Sequence, residues 1–191
     1  MKKLLLLLCF VFIHQVVYPV YFKHLGMSDG LSQVSVMSIY QDCLGRMWFG
    51  TREGVSIYDG ERMRVYKGWE NLDPESSINV LLGHECDHLT GNRQGDIFFR
   101  TCDSLVRYDI RGEKFCVVSG CKAKTITSAD GDIWTGYDDM VCRYDEKGDS
   151  LQLYAKTNTP GISSLLISGK KIWIGTYEGL YVIEEDKKSV V

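Results

Sequence analysis

Residues His84-Glu85-Cys86-Asp87-His88 satisfy, letter for letter, the H-E-x-x-H pattern in which two histidines bind zinc and the glutamate serves as general base in peptide hydrolysis. That chemistry needs a helix, because only there do residues i and i+4 stand side by side on one face. On an extended strand the two imidazoles would be roughly 13 Å apart at about 3.3 Å per residue. A single zinc needs both nitrogens within about 2.1 Å. Gly83 stands just before the stretch and Thr90-Gly91-Asn92 follows it, with no amphipathic helical pattern around the pair. The expectation is a fortuitous match on a strand: no catalytic residue, no metal, and at most one histidine touching a ligand.

The elements that would have to position any such group are repeats. Gly45 to Asp59, "GRMWFGTREGVSIYD", aligns without gaps at an offset of 50 with "GDIFFRTCDSLVRYD" (95–109), at 86 with "GDIWTGYDDMVCRYD" (131–145) and at 125 with "KKIWIGTYEGLYVIE" (170–184). The shared signature is Trp48, Gly50, Thr51 and Gly54 in the first unit, Phe98 and Thr101 in the second, Trp134 and Gly136 in the third, and Trp173, Gly175, Thr176 and Gly179 in the fourth. Successive spacings of 50, 36 and 39 residues fall in the range of propeller and solenoid repeats.

Within a unit the pattern is that of strands. Ser35–Tyr40, Met47–Phe49, Val55–Tyr58 and Met63–Tyr66 are short β-prone runs separated by turns at Gly45-Arg46 and Glu53-Gly54. The fold expected is all-β, an incomplete β-propeller of about four blades of four antiparallel strands, with units near 31–67, 78–116, 122–155 and 162–186. One blade cannot bury both its faces, so the repeated aromatic is read as an inter-blade packing residue in preference to a sugar-stacking platform. Gly54 and Gly179 fit turns needing positive φ. Ser104 and Met140 replace them in the middle units and Arg100 replaces Gly50, so those blades need altered turns. Ser128-Ala-Asp130-Gly131-Asp-Ile-Trp134 resembles the S-x-D-x-G-x-x-W box of sialidase propellers, short by one residue; that box is a structural turn and brings no catalysis.

A chain of 191 residues with 45% hydrophobic and 25% charged residues fits one globular domain or part of a larger one. Lys2 and Lys3 precede an unbroken apolar run from Leu4 to Ile13, the length of a signal-peptide core and short for a membrane span. Residues 1–20 are read as an export signal, with retention as an uncleaved N-terminal anchor the alternative and the membrane reached only through that segment. Cleavage would leave 20 basic against 25 acidic side chains, a balance that invites no nucleic acid. Six of the seven cysteines would remain, open to disulfides such as a short Cys116–Cys121 loop or to a role as buried reduced thiols. No cofactor motif is present.

Phe22-Lys-His-Leu25, then Asp29-Gly-Leu-Ser32, then the I-x-x-D-x-x-G-x-x-W-x-G-T-x-x-G-V core from Ile39 to Val55, closely resemble the opening of the two-component regulator propeller family. The resemblance runs from Tyr21 to about Glu185 and is most specific over Tyr21–Gly60. It implies a seven-bladed propeller, usually in tandem, in a periplasmic sensor region followed by an immunoglobulin-like domain, a membrane helix and cytoplasmic kinase, receiver and DNA-binding domains. Its implied ligands are breakdown products of complex polysaccharides. This chain departs from that plan by stopping at Val191 after about four blades. None of its histidines (His14, His24, His84, His88) lies in a plausible kinase helix. The expectation is a non-enzymatic, exported ligand-sensing fragment, with an oligosaccharide bound by loop residues that the sequence does not single out. The alternatives are a propeller lyase or glycosidase, or a half-propeller completed by a second copy or by other blades.

Overall fold

The computed structural model describes residues 20–67, 81, 85–102, 104–118, 120 and 122–184. The expected leader lies outside them except for Val20. Short β-prone runs closed by Gly, Asp and Asn turns become strands, and these pair in sequence order as antiparallel meanders. The first sheet contains β1 (Val36–Gln41), β2 (Met47–Thr51), β3 (Gly54–Tyr58) and β4 (Met63–Tyr66). The second contains β5 (Cys86–Gly91), β6 (Ile97–Thr101), β7 (Ser104–Asp109) and β8 (Lys114–Val117). The third contains β9 (Thr125–Ala129), β10 (Asp132–Tyr137), β11 (Met140–Asp145) and β12 (Ser150–Lys156). The fourth contains β13 (Ile162–Ser168), β14 (Lys171–Thr176) and β15 (Gly179–Glu184), three strands among the described residues where the repeat leads one to expect four. The leading strands β1, β5, β9 and β13 lie side by side, so the sheets fan out as blades of an incomplete β-propeller.

The turns explain most of the signature. Asp42 Oδ1 accepts the backbone N–H groups of Leu44 and Arg46, both at 2.9 Å, while Oδ2 accepts Arg46 Nε at 2.7 Å and Trp48 Nε1 at 2.8 Å. One carboxylate thus closes the β1–β2 turn and aims the indole. In the second sheet Asn92 Oδ1 closes the same turn on Gln94 N and Asp96 N. A neutral amide suffices there because Phe98 has no N–H to satisfy. The third sheet uses a two-residue turn instead, Asp130-Gly131, both at positive φ (51° and 81°), between paired Ala129 and Asp132. That hairpin is tighter than the turn closed by Asp42, which separates paired Gln41 and Met47.

The β2–β3 hairpin shows the role of the paired Thr and Gly. Thr51 Oγ1 donates to Gly54 O at 3.0 Å and accepts Glu53 N at 3.1 Å; Thr176 repeats this with Gly179 O and Glu178 N. Gly54 holds φ 94°, and a Cβ there would lie 2.1 Å from Tyr66 O. Where Ser104 and Met140 replace the glycine, the left-handed residue moves two places upstream, to Cys102 (φ 51°) and Asp138 (φ 54°). The expected alteration of these turns is therefore a relocation of the positive φ.

Packing follows one rule. Residues 48, 98 and 134 face the following sheet, and their neighbours in the strand face the preceding one. Trp48 meets Tyr108 of the second sheet edge to face, with ring centroids 4.9 Å apart, and Phe98 meets Tyr144 of the third at 4.8 Å; both pairs are inclined at 64°. Ile97 and Phe99 turn back to the first sheet and Ile133 to the second. Middle sheets are buried on both faces, so β6 has no exposed position, whereas β1, β13 and β15 alternate with solvent. Trp134 meets no such tyrosine, because Ile183 stands at that position of the fourth sheet; its ring packs 4.7 Å from Tyr154 of its own sheet, in a cluster with Ile172 and Ile174. Trp173 is only half-buried.

This gradient predicts unequal costs. Trp48→Ala, at a fully buried ring, is expected to cost about 3–5 kcal/mol and Trp173→Ala less than half of that. Urea denaturation of both variants, followed by far-UV circular dichroism, measures the difference, and equal losses would contradict the packing rule.

Candidate functional site

The zinc-like letters come first, because they carried the strongest chemical suggestion. His84 lies outside the described residues; Cys86, Asp87 and His88 belong to β5. This is strand, interrupted by a register shift between Asp87 and Thr90, with His88 at φ 54°. His88 Nδ1 lies 2.9 Å from Asp87 Oδ1, and Arg100 forks its guanidinium onto the same carboxylate, with Nε 2.8 Å from Oδ1 and Nη2 on Oδ2. Arg100 stands where the first unit has Gly50, at which a Cβ would come within 2.4 Å of Cys86 O. The second blade has room for a long side chain there and uses it to neutralise a buried acid. Among the described residues no group of three or more His, Cys, Asp or Glu side chains is gathered that would hold a metal ion.

Burial pushes the Asp87 carboxyl up, but the bonds from His88 and Arg100 outweigh it and bring it down to about 2. Asp42 is also lowered, its burial outweighed by the bonds from Trp48 and Arg46. Burial raises the Cys86 thiol to about 12, so it packs as a small apolar group. Cys116 is a free thiol, and Cys121, its suggested partner, lies outside the described residues. The Tyr108 and Tyr144 hydroxyls are raised, chiefly by burial between the blades. These displaced groups belong to the architecture.

A different region gathers binding chemistry. At the end of the fan that carries the β2–β3-type hairpins and the blade-to-blade connections, Lys124, Tyr137, Asp138, Gly161, Ile162 and Tyr177 line a hollow of about 380 Å³, within the size range of small-ligand sites. The chain entering the fourth sheet is clamped there: Ile162 N donates to Asp138 O at 2.9 Å, Thr157 N to Asp139 O at 2.8 Å and Tyr177 N to Gly161 O at 3.3 Å. Gly161 holds φ 91°, and a Cβ on it would lie 2.6 Å from Tyr177 Cδ2, so the ring rests against bare backbone. Tyr177 is nevertheless 78% exposed. The Lys122 ammonium stands 5.4 Å from the centre of the Tyr137 ring. Two tyrosines, an aspartate and a lysine, Lys124, thus line one concave surface, with the Lys122 ammonium on the Tyr137 ring beside it. The larger groove beside the third sheet, about 510 Å³, has walls already bonded to one another, as in Arg143–Asp132 at 2.7 Å and Gln152–Asp145 at 2.8 Å.

None of the twelve signature residues lines this hollow, although Gly136 accepts Lys124 N through its carbonyl and Thr176 pairs with Ile162 across β13 and β14. They set the blades; the hollow is lined by non-signature residues of the repeat hairpins, Tyr137, Asp138 and Tyr177, together with Lys124, Gly161 and Ile162 at the chain entering the third and fourth sheets. Of the polar loops between blades, 157–161 contributes Gly161, and 68–77 lies outside the described residues.

No protein-family model matches the chain. A curated relative, histidine kinase P4 of Formosa agariphila, is 41% identical over 59 residues, 31% of this chain and 4% of that protein. Among solved structures, the extracellular domain of BT3049, described as a hybrid two-component system of B. thetaiotaomicron, superposes with a TM-score of 0.73 at 25% identity, covering 88% of this chain and 26% of that one. The fold is shared with a two-component extracellular domain. The likeness read from Tyr21–Gly60 therefore extends through the blades. The WD40 β-propeller domain of Doa1 also matches, with a TM-score of 0.57 at 15% identity over 83% of this chain and 54% of that one, a likeness of fold alone. The chain spans about a quarter of the extracellular domain that it matches and a small fraction of the kinase. Among the described residues no helix is long and apolar enough to cross a membrane.

Acid sensitivity tests the Asp87 cluster. Its folded value of about 2 lies below the ordinary 3.8, so its contribution to stability is full above pH 3.8 and disappears as pH falls through 2. Asp87→Asn is expected to lower stability at pH 7 and to flatten the decline between pH 4 and 2, read from denaturation midpoints across that range.

Proposed function

We propose that this chain is the ligand-sensing part of an exported two-component receptor, without enzymatic activity of its own, and that its ligand is a polysaccharide-derived oligosaccharide held in the hollow at Tyr137, Asp138 and Tyr177. The observation that carries the sensing role is the structural likeness to an extracellular domain of a hybrid two-component system. The chemistry of the hollow supports the ligand class. Sugar rings present C–H faces to aromatic rings and hydroxyls to charged groups, and this surface offers both kinds of partner. Hairpin turns and connections held by a rigid scaffold are where propellers vary without disturbing their blades. The sensing event proposed here is binding alone; relay to a kinase belongs to segments of a longer receptor.

Calorimetric titration with a panel of polysaccharide-derived oligosaccharides tests this reading. Saturable binding to one or a few of them is expected, weakened at least about tenfold by Tyr177→Ala, with unchanged thermal stability because that ring is exposed. Absence of binding to every glycan, by this chain and by a longer receptor carrying it, would reject the ligand class. Turnover of a chromogenic glycoside panel would reject the non-enzymatic role.

A further inference from the structure

The hairpins at the end of the fan that carries the hollow differ at one place. Their first turn residue is Arg52, Cys102, Asp138 and Tyr177 in turn: a cation, a thiol, an acid and an aromatic ring at a single position of the repeat. Asp138 and Tyr177 are the two that line the hollow. Beside this tip the chain enters the leading strand, one residue before the partner of the hairpin threonine. That residue is Ser35 in the first sheet, Glu85 in the second and Gly161 in the fourth. The aromatic tip therefore stands beside the entry that has no side chain. Tyr177 uses the space: a Cβ on Gly161 would lie 2.6 Å from its Cδ2, 3.3 Å from Cε2 and 3.5 Å from Cγ. Those three atoms form one edge of the ring, so backbone stops it on that side while most of it stays exposed.

The segment that carries Gly161 is braced to both hairpins. Thr157 N donates to Asp139 O and Ile162 N to Asp138 O, which ties it to the third sheet. Tyr177 N donates to Gly161 O, and Thr159 Oγ1 donates to the Tyr181 hydroxyl at 2.8 Å, which ties it to the fourth. Thr157 Oγ1 folds the segment onto itself by donating to Thr159 O at 2.6 Å. Pro160 has a fixed φ and narrows the backbone choice at Thr159. Residues 157–162 therefore hold Tyr177 at a set distance from Asp138.

We infer that Gly161 determines the specificity of the hollow as a positioning residue: its bare backbone seats Tyr177 as a fixed wall, and the brace that carries it sets the width of sugar the hollow admits. The inference rests on the reading of the hollow as a ligand site and adds the residue that decides which ligands fit. A ring already seated loses little freedom on binding, so the fit exists before the ligand arrives. A side chain at position 161 would push the ring off its seat and change the width of the hollow.

Placing 3-fluorotyrosine at position 177 of the whole chain gives a readout that needs no ligand. Gly161→Ala is expected to move and broaden the fluorine resonance, and so is Thr159→Val, which cuts the brace without straining the backbone; far-UV circular dichroism should stay unchanged. A resonance indifferent to both substitutions would overturn the positioning role. Calorimetric titration with cellotetraose, xylotetraose, mannotetraose and tetragalacturonate then reads the specificity. The tetrasaccharide that binds best is expected to lose about fivefold or more in affinity with either substitution, and its preference over the others to shrink. In a Tyr177→Ala background the same substitutions are expected to change affinity by less than about twofold, because the ring they act through is gone. Equal losses with and without the ring would show that the brace acts on the fold and not through Tyr177, and would overturn the proposal. A resonance that moves while none of the glycans binds would leave the seating of Tyr177 standing and reject the ligand reading, and with it the role in specificity.

Discussion

The structure depends on one contact, repeated: an aromatic ring in the second strand of a sheet, set edge to face on a tyrosine in the third strand of the following sheet. A three- or four-stranded meander of four- to seven-residue strands buries too little to stand alone. Its stability comes from the neighbours on its two faces, and a ring that fills the gap between sheets contributes more buried area there than any aliphatic residue. The rest of the signature serves that ring. Asp42 orients the indole of Trp48, glycine or a relocated left-handed residue tightens the hairpin beside it, and Gly50 lets the leading strand of the next blade approach.

The same dependence explains the variation between blades. Where the ring is phenylalanine, the carboxylate that would bond an indole gives way to Asn92. Where the receiving tyrosine is Ile183, Trp134 turns to Tyr154 instead. Where glycine is absent, Arg100 occupies the space and neutralises Asp87. Each substitution is a local answer to one question, how to fill the gap between two sheets.

The hollow proposed as the binding site lies beside this constraint and is not part of it. The hairpins of the third and fourth sheets bring Tyr137, Asp138 and Tyr177 together, and the connections add Lys124 and Gly161 around the same hollow. Such a surface can change its ligand without disturbing the scaffold, which suits a module shared with a two-component extracellular domain.

The all-β class, the repeat and its strands were legible in the sequence, because a four-fold recurrence of W-x-G-T-x-x-G-like units leaves few other ways to bury alternate residues. The absence of a helix at Cys86–His88 was legible for the same reason: the repeat assigns that stretch to a leading strand. The sequence by itself thus determined which residues form blades and which rings lie between them. Three matters were settled only by the tertiary structure. The direction in which each ring faces, and so the half-burial of Trp173, depends on which sheet stands next to it. The relocation of positive φ to Cys102 and Asp138 depends on backbone twist that the residue types did not announce. The hollow joins residues from Lys124 to Tyr177, far apart in the chain and at positions where the residue type varies from unit to unit. Periodicity records what each blade has in common; the hollow is made from residues that the blades and their connections do not share, and only packing brings those residues together.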